Sequence, residues 1–452
     1  MESIFKFYNK NEYSIFISLF FLFIILFFVF KENIYFTIDE IESSITYSHF
    51  PELFLRTTPN NHTLTTIIGT LLTYFFGYNI LLLKSISLVS LILITWILHK
   101  FIVEKNLIYI FFIIILFSNF LVEFIFSYRG YYFSSFIFCW IYYLIFQIQN
   151  KINYNKIKLI FFLNALLITH LLTSILISIP ILVILTIWLY YFKKLNFLNI
   201  LKFSYFFLVP LFFILFFQII ITGIIVNSSS SEIINLLNFK LSSFFSITFF
   251  TELFILFENN FLQGFKTYFF SDYLQSKGQY VLTYEFFKEE KIFFSVFVCS
   301  LLYALVNIFR KKNIIFSLII LSFFILFYLI NRFPHEYSHI GHIFFFIFFL
   351  FQCVEDDFSL KIKNKYFKII SLLVLFVLLI SIPFRYSPTW MFQHEYREYF
   401  TKFDCKLDVK NNIIKNKVEK TVFPEIYYFV LLDKCNEKYE KKKYYNLIKS
   451  IN

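Results

Sequence analysis

Apolar runs long enough to cross a lipid bilayer recur along the chain, and short lysine clusters lie between many of them. A hydrocarbon core about 30 Å thick needs roughly 20 apolar residues in a helix, with a lower limit near 17. Such runs fall at 13–30, 80–98, 106–124, 130–148, 199–222, 292–309 and 314–330, with slightly shorter ones at 340–354 and 369–384. Segment 159–192 has Lys158 and Lys193 at its ends and Thr173-Ser174 midway, and reads as a hairpin of two short spans. The total is about eleven. Inside lipid a backbone must bond to itself, which leaves helices or closed barrels, and uninterrupted apolar runs select helices. The fold class is therefore an all-α polytopic membrane protein. Charged residues are only 15% of the chain, against roughly 25% in a soluble domain. The abundance of Phe (73) and Tyr (32) and the scarcity of Gly (7) follow a broad compositional bias and carry no functional weight.

The net charge of +12 does not point to nucleic acid, because most Lys and Arg sit in the short clusters between apolar runs. Cytoplasmic loops carry that excess. With the N-terminus inside, the inner segments hold seventeen Lys and Arg, among them Lys100, Lys151, Lys193, Lys312 and Lys363. The short outer loops hold four: Lys31, Arg56, Arg129 and Arg332. The first run is followed directly by Lys31-Glu32 with no small-residue cleavage site, so it reads as an anchor. Three regions then lie outside: loop 31–79, region 223–291 and tail 385–452. Stretch 236–257 carries Lys240 and Glu252 and reads as an interfacial helix, since a span would bury both charges. The tail is polar and reads as a small soluble appendage, with Cys405 and Cys435 available for a bridge in an oxidising compartment. The division is thus a membrane domain over 1–384 and an outer tail over 385–452.

Unusual polar residues gather in the first outer loop. Asp39-Glu40 stand a few residues beyond the first span, and Asn61-His62-Thr63 open an apolar run at 64–76 that ends in Phe76-Gly77. That run is too short to cross and reads as a helix lying in the outer interface. Lys84 lies early in the next span, Arg129-Gly130-Tyr131 at the start of the fourth, and Thr169-His170 at the turn of the hairpin.

In order and spacing this set resembles the polyprenyl-phosphate-sugar-dependent glycosyltransferases of the C superfamily, nearest the protein O-mannosyltransferase and lipid A aminoarabinose transferase branch. The resemblance covers residues 1–200 well and the remainder by topology only. It implies a transmembrane catalytic bundle with outer juxtamembrane helices, and inverting transfer of a sugar from a polyprenyl phosphate to a lipid, glycan or protein acceptor outside the cytoplasm. It implies Asp39 as base and Glu40 as a second carboxylate. Asn61, His62, Lys84, Arg129, Tyr131, His170 and Arg332 become candidate contacts to the sugar or its phosphate. This branch requires no cofactor, although a divalent metal is compatible with the chemistry. The chain departs from the family in reading Asn61-His62-Thr63 for His-Pro-Pro and Lys84-Ser85-Ile86 for Arg-Leu-Pro.

The chemistry is consistent. An attacking hydroxyl must lose a proton to a carboxylate, and a departing phosphate is met best by a guanidinium fork. Plainer readings stand beside each residue. Asp39-Glu40 would be a solvated loop pair, His62 a helix cap, Arg129 and Lys84 snorkelling cations, and His170 a polar residue between packed helices. Two other functions compete. His335-Glu336-Tyr337-Ser338-His339 matches H-E-x-x-H, the zinc site of a metalloprotease, but Pro334 puts it at a helix start and no third ligand is evident. A transporter or flippase would place ionisable residues at mid-bilayer depth, whereas here they collect at the outer ends.

Overall fold

Gly77 and Asn79 separate the first two helices of the computed structural model, which describes residues 40, 43–44, 62–101, 106–117, 125, 127–171, 174–222, 301–310, 314–329, 370–371, 373–378, 404–407, 411, 431–432 and 435. Helix α1 (Thr63–Phe76) closes where the Gly77 N–H donates to Thr73 O at 2.9 Å. Gly77 then takes φ +80°, a conformation open to glycine and strained for residues with a Cβ. The Asn79 carboxamide oxygen accepts from Leu81 N–H and Leu82 N–H at 2.9 and 3.2 Å, capping α2 (Ile80–Phe101).

The remaining helices are α3 (Asn106–Phe117), α4 (Tyr131–Asn150), α5 (Tyr154–His170), α6 (Ile175–Tyr191), α7 (Phe197–Thr222) and α8 (Ile314–Leu329). Residues 301–309 are also helical. The described residues contain no strand. Helices α2 and α4, of 22 and 20 residues, are long and apolar enough to cross a membrane. At 1.5 Å per residue they reach about 33 and 30 Å. Two helices, α5 and α6, stand where the hairpin is expected at 159–192, and the run at 64–76 is helical as α1.

Helix α2 packs on α4, α4 on α5, and α5 most extensively on α7, while α6 sits between α5 and α8. The buried interior is aliphatic and aromatic, with Phe138, Tyr142 and Phe316 at its centre and the last two stacked at 5.1 Å. The outward faces are apolar too: Trp96, Ile179, Val183, Phe212 and Phe213 are exposed. Lipid-facing surface has that character, since it gains nothing from polar side chains.

Helix α1 rests on α2 and α5 and is divided along its length. Thr63, Thr65, Thr66 and Gly69 are buried, whereas Leu71, Tyr74, Phe75 and Phe76 are exposed. A helix anchored by small residues, with an unpartnered aromatic end, suits a membrane interface. Its N-terminus lies at the bundle end that also holds the start of α4 and the last residue of α5. Cys405 and Cys435 are joined by a disulfide.

Candidate active site

Five chain segments meet at that bundle end, each bringing a polar residue into the interior. The segment before α1 brings Glu40, which is 1% exposed. Its carboxylate accepts from the Tyr128 backbone N–H, and its Oε1 lies 3.3 Å from Lys84 Nζ on α2. Lys84 is 2% exposed and paired inside the protein, so it does not snorkel. Ser44 and Tyr78 are joined by a hydroxyl–hydroxyl hydrogen bond of 3.0 Å. The first loop is thereby fixed to the start of α2 at two points.

Residues 127–130 lead into α4 and are held from both sides. The Ser87 hydroxyl on α2 donates to Ser127 O at 2.6 Å. The Tyr128 phenol donates to Thr65 O on α1 at 3.3 Å. Burial pushes that phenol well above its ordinary pKa, so it remains the donor. Arg129 follows and is also buried. Its Nη2 donates to the Tyr131 hydroxyl at 2.9 Å, and its guanidinium carbon lies 5.2 Å from the Tyr131 ring centre. The same ring meets His62 edge-on at 4.6 Å between centroids. His62 occupies the N-cap position of α1 but makes no side-chain capping bond.

His170 closes the arrangement from α5. Leu64 N–H donates to its Nδ1 at 3.2 Å, so that nitrogen carries no proton. Its Nε2 lies 2.9 Å from Gly130 O and therefore donates to it. Thr65 Oγ1 is 3.4 Å from the same nitrogen. The imidazole has one tautomer, set by its neighbours, and both nitrogens are engaged by the protein. It fastens the N-terminus of α1 to the N-terminus of α4, and its ring centre is 5.5 Å from that of His62.

Gly130 is there because of His170. A Cβ at position 130 would lie 2.3 Å from the imidazole and 2.3 Å from Thr65 Oγ1. Both atoms belong to side chains already committed to hydrogen bonds. Gly130→Ala is expected to cost about 1–3 kcal/mol, the usual range for forcing one extra carbon into a packed interior. The cost reads out as a lower thermal unfolding midpoint in detergent. Ala at Gly77, where a Cβ would meet nothing within 4 Å, costs only its strained φ.

The structure thus brings together Glu40, Lys84, His62, Arg129, Tyr131 and His170. Asp39, Asn61 and Arg332 lie outside the described residues, as do His335, Glu336 and His339 of the H-E-x-x-H motif. Sequence reasoning missed Thr65, Ser87 and Tyr128. The small-residue spacing Thr65, Thr66, Gly69 on an otherwise apolar α1 is a signal that could have found Thr65. Tyr128 acts partly through its backbone N–H, which leaves no mark in the sequence. No family model, curated protein or solved structure matches the chain.

Proposed function

We propose that this chain is a multi-pass glycosyltransferase of the cell (inner) membrane, with a C-superfamily bundle of about eleven helices. It moves a sugar from a polyprenyl phosphate to an acceptor hydroxyl on the extracytoplasmic side. The observation that carries this reading is the buried guanidinium of Arg129, held against Tyr131 and beside His62 where the interfacial helix α1 begins. Ionisable groups buried within a membrane bundle mark functional sites by default. A guanidinium suits the two oxygens of a lipid phosphate. The lipid of such a donor stays in the bilayer and its phosphate at the surface, beside the exposed aromatic end of α1. The Cys405–Cys435 disulfide supports an oxidising location for the tail.

In this reading Asp39 takes the proton of the acceptor hydroxyl as its oxygen attacks the anomeric carbon. The bond from that carbon to the phosphate oxygen breaks, polyprenyl phosphate leaves, and the anomeric configuration inverts. Arg129 meets the charge that grows on the departing phosphate, and His62 and Tyr131 orient the guanidinium and the donor head. Glu40 and Lys84 hold the loop that carries Asp39, and His170 holds α1 against α4. Asn61 and Arg332 remain further candidate contacts to the donor.

The test is release of polyprenyl phosphate by the full-length chain in proteoliposomes, from a panel of polyprenyl-phosphate sugars. Removing one such charge-stabilising donor costs about 10²–10³ in rate, so Arg129→Ala is expected to lose at least that. Arg129→Lys restores only part, because a point charge lacks the fork. Turnover by Arg129→Ala at the wild-type rate would remove the phosphate site from this position.

A further inference from the structure

The opposite end of the bundle holds a second feature that sugar transfer does not use. Helices α5 and α7 run side by side, and their first turns bound a groove of about 990 Å³. Tyr154, Lys158, Asn199, Lys202, Phe203 and Phe206 line it. Tyr154 and Phe203 face each other at 5.8 Å, and the Lys158 ammonium sits 5.3 Å from the centre of the Phe206 ring. The groove therefore has an aromatic wall and two cations.

Three facts fix the sign of what it takes. Residues 124–231 contain no Asp or Glu. Among the described residues the carboxylates are Glu40, paired with Lys84, and Asp404 of the tail. Both bounding helices begin here, and helix N-termini add positive potential that favours anions. The groove's position fixes the rest. The lysine clusters at this end mark the cytoplasmic side, and the apolar faces of α5 and α7 run from the groove into the bilayer. A free anion would satisfy the lysines and leave the exposed rings of Tyr154 and Phe206 in water. A ligand with a phosphodiester and acyl chains covers both.

We infer that this groove is a binding site for an anionic glycerophospholipid of the cytoplasmic leaflet, whose phosphodiester lies between Lys158 and Lys202 and whose chains cover the exposed ring of Phe206. Basic pockets between transmembrane helices on this side suit acidic head groups, and each lysine is worth about fivefold in affinity near an anionic surface. The inference rests on the membrane reading and is independent of the sugar-transfer chemistry at the other end.

The test is native mass spectrometry of the full-length, delipidated chain in detergent, titrated with dioleoylphosphatidylglycerol or dioleoylphosphatidylcholine. Phosphatidylglycerol is expected to be retained at least tenfold better. The double variant K158Q/K202Q loses that preference and still binds phosphatidylcholine as before, which also reports intact folding. K151Q/K194Q removes the same charge from exposed positions outside the groove, and keeps the preference within about twofold. Should K158Q/K202Q fail to fold, the wild-type chain decides alone: raising ammonium acetate from about 0.05 to 0.5 M weakens retention of phosphatidylglycerol and not of phosphatidylcholine. Equal retention of the two lipids overturns the inference. So does an equal loss in both double variants, or displacement of phosphatidylglycerol by an equal concentration of inorganic phosphate.

Discussion

Glu40→Gln is expected to destabilise the folded chain by about 3–5 kcal/mol, and Lys84→Met by a similar amount. Each residue is almost fully enclosed, at 1% and 2% exposure, and the two side chains meet at 3.3 Å. Removing one member leaves the other charged and enclosed without its counterion, which is the costly state of a buried pair. Glutamine retains an oxygen that can accept from Tyr128 N–H, so the variant isolates the lost charge from the lost hydrogen bond. Removing both charges together is different. A neutral pair of similar volume leaves no enclosed ion, and replacing whole buried pairs in this way is often close to neutral. The double variant Glu40→Gln/Lys84→Met is therefore expected to be more stable than either single variant. Thermal unfolding in detergent, compared across the four chains, measures the coupling. Strictly additive losses would show that the two residues contribute separately and that the first loop is held by other contacts.

That pair also marks the boundary of what the sequence could reveal. The helices were legible because their ends are written in charge and polarity. The run at 80–98 becomes Ile80–Phe101, the run at 130–148 becomes Tyr131–Asn150, and the hairpin divides between His170 and Ile175. Length and charge exclusion decide these limits without reference to any partner. Residues 13–30 and 340–354 lie outside the described residues, and the runs at 106–124, 292–309 and 369–384 are described only in part. The pairing of side chains was not legible. A soluble helix shows which face it buries by its polar stripe. Helices such as α2 and α5 are apolar on nearly every side, so their sequences do not say which face meets a neighbour. Nothing local links Glu40 to Lys84 or His170 to Leu64. Lys84 and Arg129 are both buried, Lys84 against Glu40, a residue distant in sequence, and Arg129 against Tyr131. His170, a candidate donor contact and equally a candidate polar residue between helices, engages Leu64 N–H and Gly130 O through its two ring nitrogens.

Asp39→Asn is expected to lower the rate of sugar transfer by about 10²–10⁴ while leaving stability and donor binding intact, which is the loss proper to a general base. Asp39 lies outside the described residues, and its covalent neighbour is Glu40. Glu40 is committed inside the protein: its carboxylate faces Lys84 and accepts from Tyr128 N–H. A carboxylate whose charge is already used to hold a loop is poorly placed to take a proton from an incoming hydroxyl. If the Asp39-Glu40 pair serves the reaction, Asp39 must carry the proton transfer. Asparagine preserves the size of the side chain and most of its hydrogen bonding, and removes its basicity. The two neighbouring substitutions should therefore separate cleanly. Asp39→Asn shows its loss in turnover of the polyprenyl-phosphate donor at an unchanged unfolding midpoint. Glu40→Gln shows its loss first in the midpoint, and any fall in turnover follows from the loosened loop and is lessened when Lys84→Met is added. Wild-type turnover by Asp39→Asn would assign the base to another residue. A fall in midpoint for Asp39→Asn as large as that for Glu40→Gln would make the acidic pair a single structural unit, because a base that acts only on the substrate contributes little to the stability of the empty protein.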